Sequence, residues 1–99
     1  MIILTAAIKA KKGKEAELEK VLLNMISKTA QEDGSMEYRL HKSKNNSGSY
    51  LFYEKYIDQA AFDAHSSSEY CSNLGAQIKD LIAEEPVIEF YDFIDGIPE

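Results

Sequence analysis

The spacing of hydrophobic positions changes several times along this chain, and each change marks an element. Ile2–Lys9 is β-branched and apolar, which predicts a buried first strand. Lys11-Lys12-Gly13-Lys14 reads as a turn. From Glu15 the period becomes helical: Leu18, Val21, Leu22, Met25, Ile26 and Thr29 form one apolar stripe. The opposite face carries Lys14, Glu17, Lys20, Asn24 and Lys28, and the whole predicts a helix of about five turns that stops by Gly34.

Met36–Lys42 then alternates, with Met36, Tyr38 and Leu40 against Glu37, Arg39 and His41, the period of a half-buried strand. The segment from Lys44 to Ser49 has hairpin composition. Tyr50–Ile57 is a third strand, with Tyr50, Phe52, Glu54 and Tyr56 on one face and Leu51, Tyr53, Lys55 and Ile57 on the other. Asp58 can cap a short helix through Ala64. Ser66-x-x-Glu69 has capping-box spacing for a longer helix, whose buried side would be Tyr70, Leu74, Ile78, Leu81 and Ile82. Pro86 ends an acidic turn, and Val87–Ile94 is the last strand.

The order is β-α-β-β-α-β, which predicts an α+β, ferredoxin-like fold: a four-stranded antiparallel sheet with the helices on one face. Apolar residues fall on both sides of the first and last strands: Val87, Tyr91 and Phe93 against Ile88, Phe90 and Ile94 in the latter. A sheet with two apolar faces and helices over only one needs a second cover. A second copy of the chain is the simplest one, so a homodimer is expected.

Composition narrows the function. At 99 residues the chain has room for one domain, residues 1–99, with one core. Its formal net charge of -6 is the wrong sign for a nucleic-acid partner. The RNA-recognition motif shares this topology and also carries aromatics on its third strand. Here the flanking basic residue is missing and the next charge is the acidic Glu54, so that reading is set aside. Cys71 is the single cysteine, which excludes an internal disulfide, and its sequence neighbours read as those of a packed thiol. The apolar start, Met1–Ile8, is too short to span a membrane and lacks the pattern of a signal peptide. A cytoplasmic protein with no membrane partner is expected.

The stretch from Tyr50 to Ser68 holds the candidate chemistry. A strand-like aromatic run carries one carboxylate, Glu54, and the following short helix delivers one histidine, His65. Imidazole is suited to moving protons near neutrality. The competing reading of His65 is a helix-end residue satisfied by a backbone carbonyl. The competing reading of Glu54 is a buried acid paired with Arg39 or Lys55. Tyr38, Phe52, Tyr56, Phe62 and Tyr70 are expected to wall a flat apolar pocket for a small aromatic or apolar ligand, against the alternative of plain core packing. Arg39 and Lys55 could flank its mouth or simply face solvent. His41, His65 and Cys71 are too scattered for a metal site.

Three segments carry a resemblance to a known family: Glu32-Asp33-Gly34-Ser35-Met36-Glu37-Tyr38, Phe52-Tyr53-Glu54-Lys55-Tyr56, and Asp58 with Ala60-Ala61-Phe62 and His65. Together they resemble the antibiotic biosynthesis monooxygenase domain over nearly the whole chain, from Ile2 to Phe93. The resemblance implies a dimeric α+β barrel. It implies as its first activity a cofactor-independent monooxygenase, an oxidoreductase acting on a small phenol or quinol, with His65 as base and Glu54 as its orienter. Isomerisation of a small carbonyl compound by the same pair is the second reading, and a non-catalytic dimer that binds a small apolar ligand is the third. Tyr56 stands where family members often have Trp, and Tyr70 where a second His is common. Haem-degrading members use an Asn in the first strand and a Trp that distorts the macrocycle. This chain has Ala6 at the equivalent place and no Trp, so haem degradation is disfavoured.

Overall fold

A computed structural model describes residues 1–98. The elements are β1 (Ile2–Lys9), α1 (Glu15–Thr29), β2 (Ser35–Lys42), β3 (Ser49–Tyr56), α2 (Gln59–Ser66), α3 (Glu69–Ile78) and β4 (Val87–Tyr91). The strands form one sheet in the order β2-β3-β1-β4, and every neighbouring pair is antiparallel. This is the expected ferredoxin-like arrangement, with the second helical segment split into α2 and α3. No helix among the described residues is long and apolar enough to cross a membrane.

Period-2 alternation decides what each strand shows to the helices. Leu4 pairs with Glu54 and Phe90, Ala6 with Phe52 and Ile88, and Ile8 with Tyr50. These residues share the helix side, where Leu18, Leu22 and Met25 of α1 and Ile78 of α3 close over Ala6, Ile8, Tyr50 and Phe52, while Ile88 and Phe90 on the edge strand stay exposed. Leu18 and Leu22 are fully buried. Each stabilises the fold by about 1.5–3 kcal/mol relative to an exposed side chain. The helix is also aligned with its own dipole, with Glu15 and Glu17 in the first turn and Lys28 in the last.

Four expectations of the sequence are corrected. α1 ends at Thr29 after 15 residues, about four turns rather than five. Met36 does not share a face with Tyr38 and Leu40. The register slips between Ser35 and Glu37, a bulge that leaves Met36 exposed. The start of α3 is capped by Ser68, whose Oγ accepts from the Cys71 N–H at 3.3 Å, and not by Ser66, the last residue of α2. β4 stops at Tyr91, so Phe93 and Ile94 lie beyond it. The Asp58 cap is as expected: its carboxylate accepts from the Ala61 N–H at 2.8 Å.

The edge strand β4 is exposed along its whole length. Val87, Tyr91 and, past the strand, Phe93 and Ile94 are large apolar side chains in contact with solvent. Ile3, Thr5, Tyr53, Tyr91, Phe93 and Ile94 line an open cleft on the helix-free side of the sheet.

Candidate functional site

The site is assembled from four places in the chain. β3 carries Glu54 and Tyr56 two residues apart, so both point to the helix side, and β2 sets Tyr38 opposite Glu54 in the register. α2 brings His65 down over them from its last turn. The loop after α1 supplies Glu32. That loop lies close against α2: a side chain at Gly34 would collide with Ala61, and the Gly34 carbonyl accepts from the Ile57 N–H at 2.9 Å. A glycine is therefore required where the loop touches the helix, and this contact holds Glu32 within reach of His65.

His65 is buried. Its Nδ1 lies 2.9 Å and 3.2 Å from the two carboxylate oxygens of Glu32. A carboxylate oxygen only accepts, so Nδ1 carries the proton in this pair and donates it. Nε2 is left facing two groups at the same distance: Glu54 Oε1 at 3.9 Å and Cys71 Sγ at 3.9 Å. The bend is fixed from below, because the His65 carbonyl accepts from Ser68 Oγ at 2.6 Å and from the Ser68 N–H at 3.1 Å.

Glu54 is buried as well, and accepts from the Tyr56 hydroxyl at 2.7 Å. Burial pushes its carboxyl above the ordinary range, while the Tyr56 hydrogen bond and the His65 charge pull it back. Burial likewise raises the Tyr56 and Tyr38 phenols, and the Glu54 charge adds to it, so both remain hydrogen-bond donors at neutral pH. Burial also raises the Cys71 thiol, with Glu54 and Glu32 acting in the same direction. Thr29 is fully buried at the end of α1, and its Oγ1 has no hydrogen-bond partner among the described residues.

Of the five aromatic residues expected to wall a pocket, Tyr38, Tyr56 and Tyr70 pack against the imidazole and Phe52 and Phe62 pack behind them. The Tyr38, Tyr56 and Tyr70 rings lie 5.5, 5.1 and 6.2 Å from the imidazole, centroid to centroid. Phe52 stacks behind Tyr38 at 4.7 Å, and Phe62 meets Tyr56 edge-on at 5.5 Å. Phe52 and Tyr56 are sealed from solvent in the single chain, while Tyr70 also borders an open cleft with Lys28, Gln31, Glu69 and Asn73.

Arg39 and Lys55 do not take part. Arg39 is exposed, with its nearest acid Glu37 at 3.9 Å, and Lys55 is on the opposite face of β3, paired with Ile3. Glu54 is therefore a partner of Tyr56 and His65 rather than of either cation. His41 is distant from the cluster on β2, with Nδ1 3.3 Å from the Leu51 carbonyl oxygen. Among the described residues no set of three His, Cys, Asp or Glu side chains is arranged to hold a metal ion.

Sequence reasoning missed the pairing of Glu32 with His65. Its only signal was its place in the Glu32-Asp33-Gly34 segment, because nothing local links it to a histidine that lies 33 positions away. The proximity of Cys71 to His65 was missed as well, although both flank the same helix junction.

Comparison with known proteins agrees with this architecture. Residues 1–77 match the family model for antibiotic biosynthesis monooxygenase. A solved structure from Caulobacter crescentus, provisionally assigned as an antibiotic biosynthesis monooxygenase, is 35% identical and superposes with a TM-score of 0.88, covering 95% of this chain and 90% of that one. The provisionally named monooxygenase YcnE of Bacillus subtilis is 26% identical over 83 residues, 84% of this chain and 87% of that protein. An uncharacterized Synechocystis protein is 27% identical over 90 residues, 91% of this chain, and the chain matches 61% of that protein's length. The chain belongs to the antibiotic biosynthesis monooxygenase family.

Proposed function

We propose that this protein is a homodimeric, cofactor-independent monooxygenase acting on a small phenol or quinol. The observation that carries the reading is one buried imidazole whose Nδ1 is held by Glu32, with Nε2 facing a second carboxylate and the rings of Tyr38, Tyr56 and Tyr70 packed around it. A deprotonated phenol or hydroquinone is itself an electron donor to dioxygen. The protein then has to supply a base, orientation and exclusion of water.

His65 takes the ring hydroxyl proton on Nε2, and Glu54, 3.9 Å from that nitrogen, stabilises the imidazolium that results. The electron-rich anion transfers an electron to dioxygen, and the two radicals join as a hydroperoxide at a ring carbon. Loss of water leaves a quinone. One oxygen atom enters the product and one leaves as water, and the substrate supplies all the electrons.

No Lys or Arg is among the described partners of His65, Glu32 or Glu54. An anionic carbonyl substrate would meet two carboxylates here and no counter-charge, which favours the phenol reading over isomerisation of a small carbonyl compound that carries negative charge. Dimerisation follows from the uncovered sheet face around Tyr53, Tyr91 and Phe93, which a second copy would bury. Oxygen uptake on mixing with hydroquinones under air, absent with His65→Gln, tests the activity. Ligand binding without any oxygen consumption would instead establish the non-catalytic reading.

A further inference from the structure

We propose that Tyr56 is a positioning residue for the candidate base: its hydroxyl holds the Glu54 carboxylate charged and turned toward His65 Nε2. The inference rests on the reading of His65 as the proton acceptor, and it adds a group that acts on the histidine only through Glu54.

One oxygen atom joins the two contacts. Glu54 Oε1 accepts from the Tyr56 hydroxyl at 2.7 Å, and the same Oε1 lies 3.9 Å from His65 Nε2. The hydroxyl thus selects which carboxylate oxygen faces the imidazole. It occupies one lone pair of Oε1 and leaves another open toward Nε2. A gap of 3.9 Å is longer than a hydrogen bond, so at rest carboxylate and imidazole interact through charge alone.

The hydroxyl has nowhere else to turn. Tyr56 is fully buried on β3, with Ile2 of β1 and Ser35 of β2 as its register partners. Its ring is held by the imidazole at 5.1 Å and, edge-on, by Phe62 at 5.5 Å. Burial and the Glu54 charge keep the phenol protonated, so it stays a donor. Glu54 is its acceptor, two positions back on the same face of the strand.

Glu54 depends on that donor. Burial drives its carboxyl toward the neutral form and the Glu32 charge adds to the effect, while the Tyr56 hydrogen bond opposes it, ahead of the His65 charge. Titratable groups face Glu54 from each element packed around it: Tyr38 from β2, Tyr56 from β3, Glu32 from the loop after α1, His65 from α2 and Cys71 from α3. Among these, His65 is the one group that can offer a positive charge, and Tyr56 is the one that donates a hydrogen bond. A neutral Glu54 would have no charge to set against the imidazolium that His65 becomes on taking a proton. Tyr56 therefore governs the pH at which the carboxylate can assist the base.

The test is Tyr56→Phe, which removes one oxygen and leaves the ring in place. NMR of carboxyl-labelled glutamate follows Glu54, whose signal is identified by its loss in Glu54→Gln. The titration midpoint should rise by about one pH unit, a tenfold gain in proton affinity. The acid limb of kcat with hydroquinone should move up by the same amount, with KM little changed. In the Glu54→Gln background, Tyr56→Phe should leave the pH profile of kcat where it was. A ring-fluorinated tyrosine in place of Tyr56 donates more strongly; it should move both readouts down, and it serves if Tyr56→Phe does not fold. An unchanged Glu54 midpoint in the folded variant overturns the proposal. So does a raised midpoint with the kcat limb unmoved, which leaves the oxygenase reading intact. A raised midpoint with no oxygen uptake by any form supports the hold of Tyr56 on Glu54 while the oxygenase reading fails.

Discussion

Glu32 and His65 lie 33 positions apart in sequence and meet at 2.9 Å, carboxylate oxygen to imidazole Nδ1. This contact selects which ring nitrogen carries the proton and leaves Nε2 without it. Glu32→Gln should therefore lower kcat by roughly tenfold or more with little change in KM, since it touches the base and not the substrate. Steady-state oxygen consumption measures both constants, and an unchanged kcat would remove Glu32 from the mechanism.

His65 itself is enclosed by Tyr38, Tyr56 and Tyr70. His65→Ala should abolish turnover, and because it empties a buried site it should also lower stability by about 1–3 kcal/mol. His65→Gln keeps most of the volume and should lose the activity with a smaller loss of stability. If the folded fraction of either variant retains full specific activity, the histidine is structural.

Glu54 gives a pH signature. Burial raises its carboxyl in the folded chain above its value in the unfolded one. Its contribution to stability is therefore complete at low pH, below the unfolded value, and is lost as pH rises through the higher folded value. Glu54→Gln is neutral at every pH and can still accept from Tyr56. It should unfold at a higher temperature than the wild type at about pH 8, with the gain gone by about pH 4. The same variant should reduce turnover less than His65→Ala. Thermal melts across pH check the first part, and a gain that persists in acid would contradict it.

Gly34 is the point where the Glu32 loop touches α2. Gly34→Ala puts two methyl groups in one place and should destabilise by about 1–3 kcal/mol. Ala61→Gly in the same chain should return part of that loss despite its own helix penalty of about 1 kcal/mol. Denaturant unfolding of the two single variants and the double variant reads the coupling. Strict additivity would mean that the contact does not set the loop.

The uncovered sheet face predicts the assembly. Sedimentation at micromolar concentration should give a species of twice 11.2 kDa. Tyr91→Asp or Phe93→Asp should shift it toward the monomer and lower solubility. A clean monomer for the unaltered chain would sink the dimer.

The amino-acid sequence by itself determined the elements and their faces. Helical spacing from Leu18 to Thr29, alternation through Tyr50–Tyr56 and the Asp58 cap are local signals, each set within a few residues, and the structure follows them. The aromatic identities of the His65 shell were legible for the same reason, since Tyr38, Phe52 and Tyr56 lie on strand faces fixed by period 2. Only the tertiary structure decided who meets whom. The Met36 bulge depends on how β2 registers against β3, and the choice of Ser68 over Ser66 as cap depends on where α2 ends against the sheet. The orientation of His65 depends on Glu32 from another loop, and the approach of Cys71 depends on the bend between α2 and α3. Those are long-range contacts between surfaces that no local periodicity encodes, because they exist only once the helices have packed onto the sheet.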